Sequence, residues 1–215
     1  WPVLYDLLNQ ENMIEDLRAT GYDAVVLDFT EATHPIQRNA FVLTELLGQV
    51  TAAIGPGRTT ALVGASMGGL VSRYALLWLE NGGGGHNVRT FISFDAPLTG
   101  ANIPLGLQHW LDFFQGESED AAFLLSRLNT PASRQMLLYH HLATSGTTPA
   151  ADPLFGSLQD EFASLGGWPS QPRLLSVANG SGLGADQGFA AGDQLIFYEY
   201  RSLLADIDGN VWAVP

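Results

Sequence analysis

No cysteine and no lysine occur in this chain of 215 residues. Without thiols there is no disulfide, no thiolate metal site and no cysteine nucleophile. The compartment stays open, because secreted and cytosolic proteins alike can lack cysteine. All nine basic residues are arginine and face 22 acidic ones, a net charge of −13. Such a balance argues against nucleic acid and anionic membrane surfaces as partners, since like charges repel. No run of about 18 apolar residues is present, so no segment is expected to span a membrane. Histidine is scarce too, with five in the chain.

What is present suits one domain with a sizeable core, with no internal repeat. Apolar positions at helical spacing run over 3–20, broken near 9–12 and stopped by Gly21. Residues 23–29 read as a buried strand, and 36–54 as a helix with Phe41, Leu43, Leu46, Leu47 and Val50 toward the core. After Gly55-Pro56-Gly57 come a short strand, a helix to about Asn81, a glycine connector at 82–85 and a strand over 88–94. That alternation implies a parallel sheet flanked by helices. Between 103 and 167 the pattern turns helical, with pieces at 107–114, 120–128 and 132–142. A strand follows at 173–178, then a glycine-rich loop over 179–188 and a strand or hairpin arm at 194–201. Asp208-Gly209 reads as a hairpin turn.

Two loops invite a cofactor or metal reading, and neither sustains it. Gly180-Ser181-Gly182-Leu183-Gly184 is followed by no helix, so it is not a dinucleotide fingerprint. Asp206-Ile207-Asp208-Gly209-Asn210 lacks the later bidentate Glu of a calcium loop. No cofactor and no metal are expected.

The stretch with chemistry in it is Gly64-Ala65-Ser66-Met67-Gly68-Gly69. A serine on a sharp turn between strand and helix has its hydroxyl pushed out where a carbonyl carbon can reach it. Glycines at 64 and 68 are expected to be required by the tightness of that turn. The helix start aims amides at the same spot, and the Met67 N–H is placed to stabilise an oxyanion.

This segment resembles the nucleophile elbow of the α/β-hydrolase superfamily, and its Gly-x-Ser-Met-Gly-Gly form is similar to that of lipases and esterases. The likeness runs from about Tyr22 to Pro97. It implies an α/β fold, a mainly parallel sheet flanked by helices, with 1–102 as the first part of the core, 103–167 as a helical cap and 168–215 as the last part. It implies an acyl-serine intermediate on Ser66 and the chain order serine, acid, histidine. Three acids are candidates: Asp95, which follows the next strand, and Asp186 and Asp193, which lie in the loop after the strand beyond it. Asp95-Ala96-Pro97-Leu98-Thr99-Gly100 resembles a Pro-His-x-Gly segment of many lipases, with Leu98 where that His would be.

None of His34, His86, His109, His140 and His141 follows the last strand, where the family keeps its base. His86 is expected to be solvated, and the last three to lie at helix surfaces. By the family's order the catalytic His is expected beyond Pro215, and an earlier strand and the second oxyanion amide before Trp1, so the chain reads as cut at both ends. Trp110, Phe113, Phe114, Phe123 and Leu124 offer an apolar lining for an acyl chain or an aromatic ester. The expected substrate is therefore a small-molecule or lipid-like ester. The competing expectation is a relative without catalysis that binds a ligand or partner.

Overall fold

Ile36, Ala40, Leu43 and Leu47 recur at helical spacing, and they form the buried face of the helix α3 (Ile36–Ile54). The computed structural model describes residues 2–82, 84–146, 148–180, 183, 185–201 and 206–213. The chain divides into two compact units, 1–30 and 31–215.

In the first unit two short helices, α1 (Pro2–Leu8) and α2 (Met13–Ala19), flank the break foreseen at 9–12. Asn9 closes that break, its Oδ1 accepting from the Ile14 N–H at 2.8 Å. Residues 22–29 are not the buried strand expected. They have no strand pairing, and Val25 is 61% exposed. A β-prone run becomes a strand only when a neighbour takes up its amides and carbonyls.

In the second unit the expected alternation appears. The strand β1 (Thr60–Ala65) runs into the helix α4 (Met67–Asn81), which returns to β2 (Val88–Phe94). The helices α5 (Leu105–Phe114), α6 (Glu119–Leu128), α7 (Pro131–Met136) and α8 (Pro153–Ser164) precede β3 (Arg173–Val177). The three strands form a parallel sheet in the order β1-β2-β3. Ala65, Phe94 and Val177 are register partners, so all three strands end level at their carboxyl edge. The helix expected at 132–142 stops at Met136, because Leu137 leaves it to bridge Ala101.

The helix α4 gives the core more buried apolar side chains than any other described element: Leu70, Val71, Tyr74, Ala75, Leu76 and Leu77. Against it sits α8, whose Leu158 and Phe162 are fully enclosed. Tyr74 donates to Glu161 Oε2 at 3.0 Å; burial, then this carboxylate, pushes the phenol up to about 12. At the far end of α4 the Glu80 carboxylate accepts from the Ser170 and Gln171 amides (2.7 and 3.1 Å) and the Ser170 hydroxyl. His86, expected to be solvated, is 7% exposed, with Nε2 3.2 Å from Glu80 Oε1.

The last strands, β4 (Gln194–Arg201) and β5 (Asp206–Trp212), form a separate antiparallel pair. The hairpin arm is as expected, but Asp208-Gly209 is not its turn. Gly209 sits in mid-strand opposite Tyr198, and the connection at 202–205 lies outside the described residues. Glycine is needed there for another reason: a Cβ would lie 2.8 Å from Trp110 Nε1. Trp110 and Phe114 pack against Tyr198 at ring-centroid distances of 5.9 and 5.2 Å, joining the hairpin to α5.

His140 and His141 do not lie at helix surfaces. They are 0% and 6% exposed. The Leu142 N–H donates to His140 Nδ1 (3.2 Å), so the ring proton sits on Nε2 and points to Leu128 O at 3.3 Å. Burial lowers the pKa of both rings, His140 also feeling Asp152 and Arg134, and His141 feeling its neighbour His140, Asp112 and His109. The unfolded chain therefore binds more protons than the folded one below the ordinary imidazole value of about 6.5. Stability from this pair is fully present above that value and is lost as pH falls through it. The urea midpoint should drop between pH 7 and 5.5, and by less in His140→Asn; a flat midpoint would contradict the buried neutral assignment.

Candidate active site

The turn from β1 into α4 is built by backbone-to-backbone approach. A Cβ on Gly64 would overlap the Gly68 carbonyl, 2.7 Å from its carbon and 2.8 Å from Gly69 Cα. One on Gly69 would collide with the Ala96 Cβ and stand 3.2 Å from Ser93 Oγ. The expectation for Gly68 fails, since nothing lies within 4 Å of its Cβ position. The tight pair is therefore 64 and 69, where strand and helix cross.

Between them Ser66 adopts φ 50° and ψ −127°, a conformation that side-chain-bearing residues rarely hold. Its N–H donates to Phe94 O at 2.9 Å, and its side chain is exposed. Met67 opens α4, so its N–H is one of the amides a helix start leaves without an intrahelical acceptor.

Asp95 stands at the same sheet edge. It follows Phe94, the register partner of Ala65, and has φ 47°. Its N–H donates to Val177 O at 2.7 Å, and its Oδ1 accepts from the Asn179 N–H at 3.0 Å. Ser66 and Asp95 thus both take a positive φ one step beyond adjacent, level strand ends. Asp186 and Asp193 instead turn their carboxylates onto their own loop, accepting from Gly188 N and Ala190 N at 2.8 and 2.7 Å. Ser181, Gly182 and Gly184 of that loop lie outside the described residues.

Ser66 opens onto a cleft of about 140 Å³ lined by Pro97, Ala101, Ile103, Met136 and Leu137. Apart from Ser133 the lining is aliphatic, which departs from the mostly aromatic one expected. Trp110 and Phe114 face the hairpin, and Phe113 and Phe123 are 68% and 55% exposed. No histidine ring hydrogen-bonds Ser66 among the described residues. His140, His141 and His86 are held by Leu128, Asn129 and Glu80, and His109 is exposed with its ring edge-on to His141. Among the described residues no group of three His, Asp or Glu is arranged to hold a metal, and no helix is long and apolar enough to cross a membrane.

One contributor escaped the sequence reading. Arg73 is 6% exposed, with its guanidinium carbon 4.0 Å from the Phe162 ring centroid and 4.1 Å from that of Trp168. It donates to Gly167 O at 2.8 Å and to Leu98 O at 3.2 Å, so it ties the loop after Asp95 to α4. The signal was an arginine among Leu70, Val71, Tyr74 and Leu77: a buried cation must find acceptors.

The model of the lecithin:cholesterol acyltransferase family matches residues 13–130, more than half of the chain. The chain belongs to that family. Among solved structures, the mature form of the Bacillus licheniformis lipase BlEst2 superposes with a TM-score of 0.51 at 20% identity, over 81% of this chain and 61% of that one. Its propeptide form gives 0.45 at 20% identity, over 77% and 31%. No curated protein matched. The chain thus spans about three fifths of the mature lipase, and the likeness establishes the fold: a lipase-like α/β-hydrolase with a mainly parallel sheet and flanking helices.

The glycines make opposite forecasts. Gly64→Ala should cost about 3 kcal/mol, because backbone must move to make room. Gly68→Ala should be neutral or stabilising by about 0.5 kcal/mol, through better helix propensity in open space. Denaturant midpoints decide, and equal effects would contradict the crossing described.

Proposed function

We propose that this chain cleaves carboxylic esters as a serine hydrolase, with Ser66 as the nucleophile. The observation that carries the reading is Ser66 itself, exposed and at φ 50° on a strand-to-helix turn, opening onto an apolar cleft. Ser66 Oγ attacks the ester carbonyl carbon while a general base takes its proton. The carbonyl oxygen becomes an oxyanion, stabilised by the Met67 amide at the positive end of α4. Collapse breaks the bond to the alkoxy oxygen, and the alcohol leaves with the proton. Water then attacks the acyl-serine, releasing a carboxylic acid and restoring the hydroxyl.

Asp95 is the acid we favour. It shares the sheet edge with Ser66, and its strained backbone is pinned at both its N–H and its carboxylate. Asp186 and Asp193 remain the alternatives, their carboxylates engaged in local turns. The segment 103–167 acts as the cap, with the covering role in its first three helices, since α8 packs on α4. A charge of −13 favours a neutral, lipid-like ester over an anionic one.

A second reading, a relative that binds a ligand or partner without turning it over, draws on one observation. None of the five histidines hydrogen-bonds Ser66 among the described residues. A fluorophosphonate probe separates the two. Attack by Oγ on phosphorus expels fluoride and leaves a covalent mass on Ser66, absent in Ser66→Ala. A folded protein that takes no label would remove the enzyme reading and leave the binding one.

A further inference from the structure

The chain has two Asn-Gly pairs, Asn81-Gly82 and Asn179-Gly180. In such a pair the glycine's backbone nitrogen can attack the asparagine's side-chain carbonyl carbon, because the glycine has no side chain to block the approach. Both asparagines are exposed, so access to water does not separate them. Hydrogen bonding does. At the end of α4, Asn81 Nδ2 donates to Leu77 O and Leu165 O (2.9 and 2.7 Å), and the Gly82 N–H donates to Trp78 O at 2.9 Å. Nucleophile and electrophile are both tied down there. In the loop after β3 neither is. Among the described residues none takes up the Asn179 side chain or the Gly180 N–H, and nothing lies within 4 Å of where a Gly180 Cβ would stand. Asn179 is held instead through its backbone N–H, which donates to Asp95 Oδ1 at 3.0 Å.

We propose that Asn179-Gly180 is a site of spontaneous deamidation, and that its conversion slows the Ser66 site as the molecule ages. The Gly180 nitrogen, having lost its proton to hydroxide, bonds to Asn179 Cγ. The Cγ–Nδ2 bond breaks, ammonia leaves, and a five-membered imide remains. Water then opens the imide at either carbonyl. One opening leaves aspartate; the other leaves isoaspartate, whose main chain runs through the side-chain carbons and is longer by a methylene. Water is the only co-reactant, and nothing is oxidised or reduced.

Both products put a carboxylate where a neutral amide stood, on the residue whose N–H holds Asp95. Like charges repel, so the Asp95 carboxylate is pushed from its place. Isoaspartate also shifts the main chain beside that N–H. This consequence rests on the reading of Ser66 as nucleophile and Asp95 as its acid; the cyclisation itself does not.

The whole protein, aged in mildly alkaline buffer and mapped by peptide mass, tests the chemistry. Three hydrogen bonds must break before Asn81 can cyclise and none before Asn179, so Asn179 should convert at least about tenfold faster. Equal conversion, or faster conversion of Asn81, overturns the site. The converted protein separates by ion exchange on its added negative charge. It should take a fluorophosphonate at Ser66 about tenfold more slowly than fresh protein, with an unchanged melting midpoint. Asn179→Asp should reproduce the part of the slowing that comes from charge. Asn179→Gln, which would have to close a less favourable six-membered ring, should keep its starting rate through the same ageing. An unchanged labelling rate in the converted form, a slowing that only follows a lower melting midpoint, or equal ageing in Asn179→Gln overturns the effect on the site. If fresh protein takes no label at Ser66, the serine reading falls and that effect falls with it, while the peptide masses still decide the deamidation.

Discussion

The architecture depends on one close approach, the contact of the β1 backbone at Gly64 with that of α4 at Gly68 and Gly69. Only hydrogen fits in the space where those segments cross. That contact forces the intervening residue out of the common backbone regions, and Ser66 takes up the strain at φ 50°. Strain of this kind persists only where surrounding packing over-determines it. Here α4 is buried from Gly69 to Leu77, and the Ser66 N–H is fastened to Phe94.

The same helix then orders what surrounds the serine. Its first residue offers the Met67 amide, its middle holds the loop after Asp95 through Arg73, and its end holds the approach to β3 through Glu80. Burial raises the proton affinity of the Glu80 carboxyl, but the hydrogen bonds from Ser170, Gln171 and His86 outweigh it and the net pKa falls. It therefore stays ionised and keeps accepting. Level strand ends do the rest: in a parallel sheet the carboxyl edge is where loops converge, and Ser66, Asp95 and Asn179 meet there.

Much of this was legible in the sequence because it is written in short-range rules. Helix α3, β1, α4 and β2 follow from apolar period and glycine punctuation, and the serine turn from its own six letters. What was illegible depends on partners distant in the chain. Residues 23–29 carry a strand's composition but pair with no strand among the described residues. Gly209 looks like a turn residue and is instead the floor under Trp110, a contact spanning about a hundred residues. His140 and His141 look like surface polar residues of a helix. They are buried because Met136 ends α7 early, and Leu128, Leu142 and Asn129 supply their partners. Gly68 was assigned a role that belongs to Gly69, a distinction that needs the crossing angle of strand and helix rather than the motif.

The central claim is that the crossing presents Ser66 as a nucleophile able to hold an acyl group. Rapid mixing with p-nitrophenyl butyrate tests it most directly. One equivalent of nitrophenolate released in a burst, with the butyryl mass found on Ser66 and absent from Ser66→Ala, is the predicted result. A folded protein that releases no burst and carries no acyl group would contradict it.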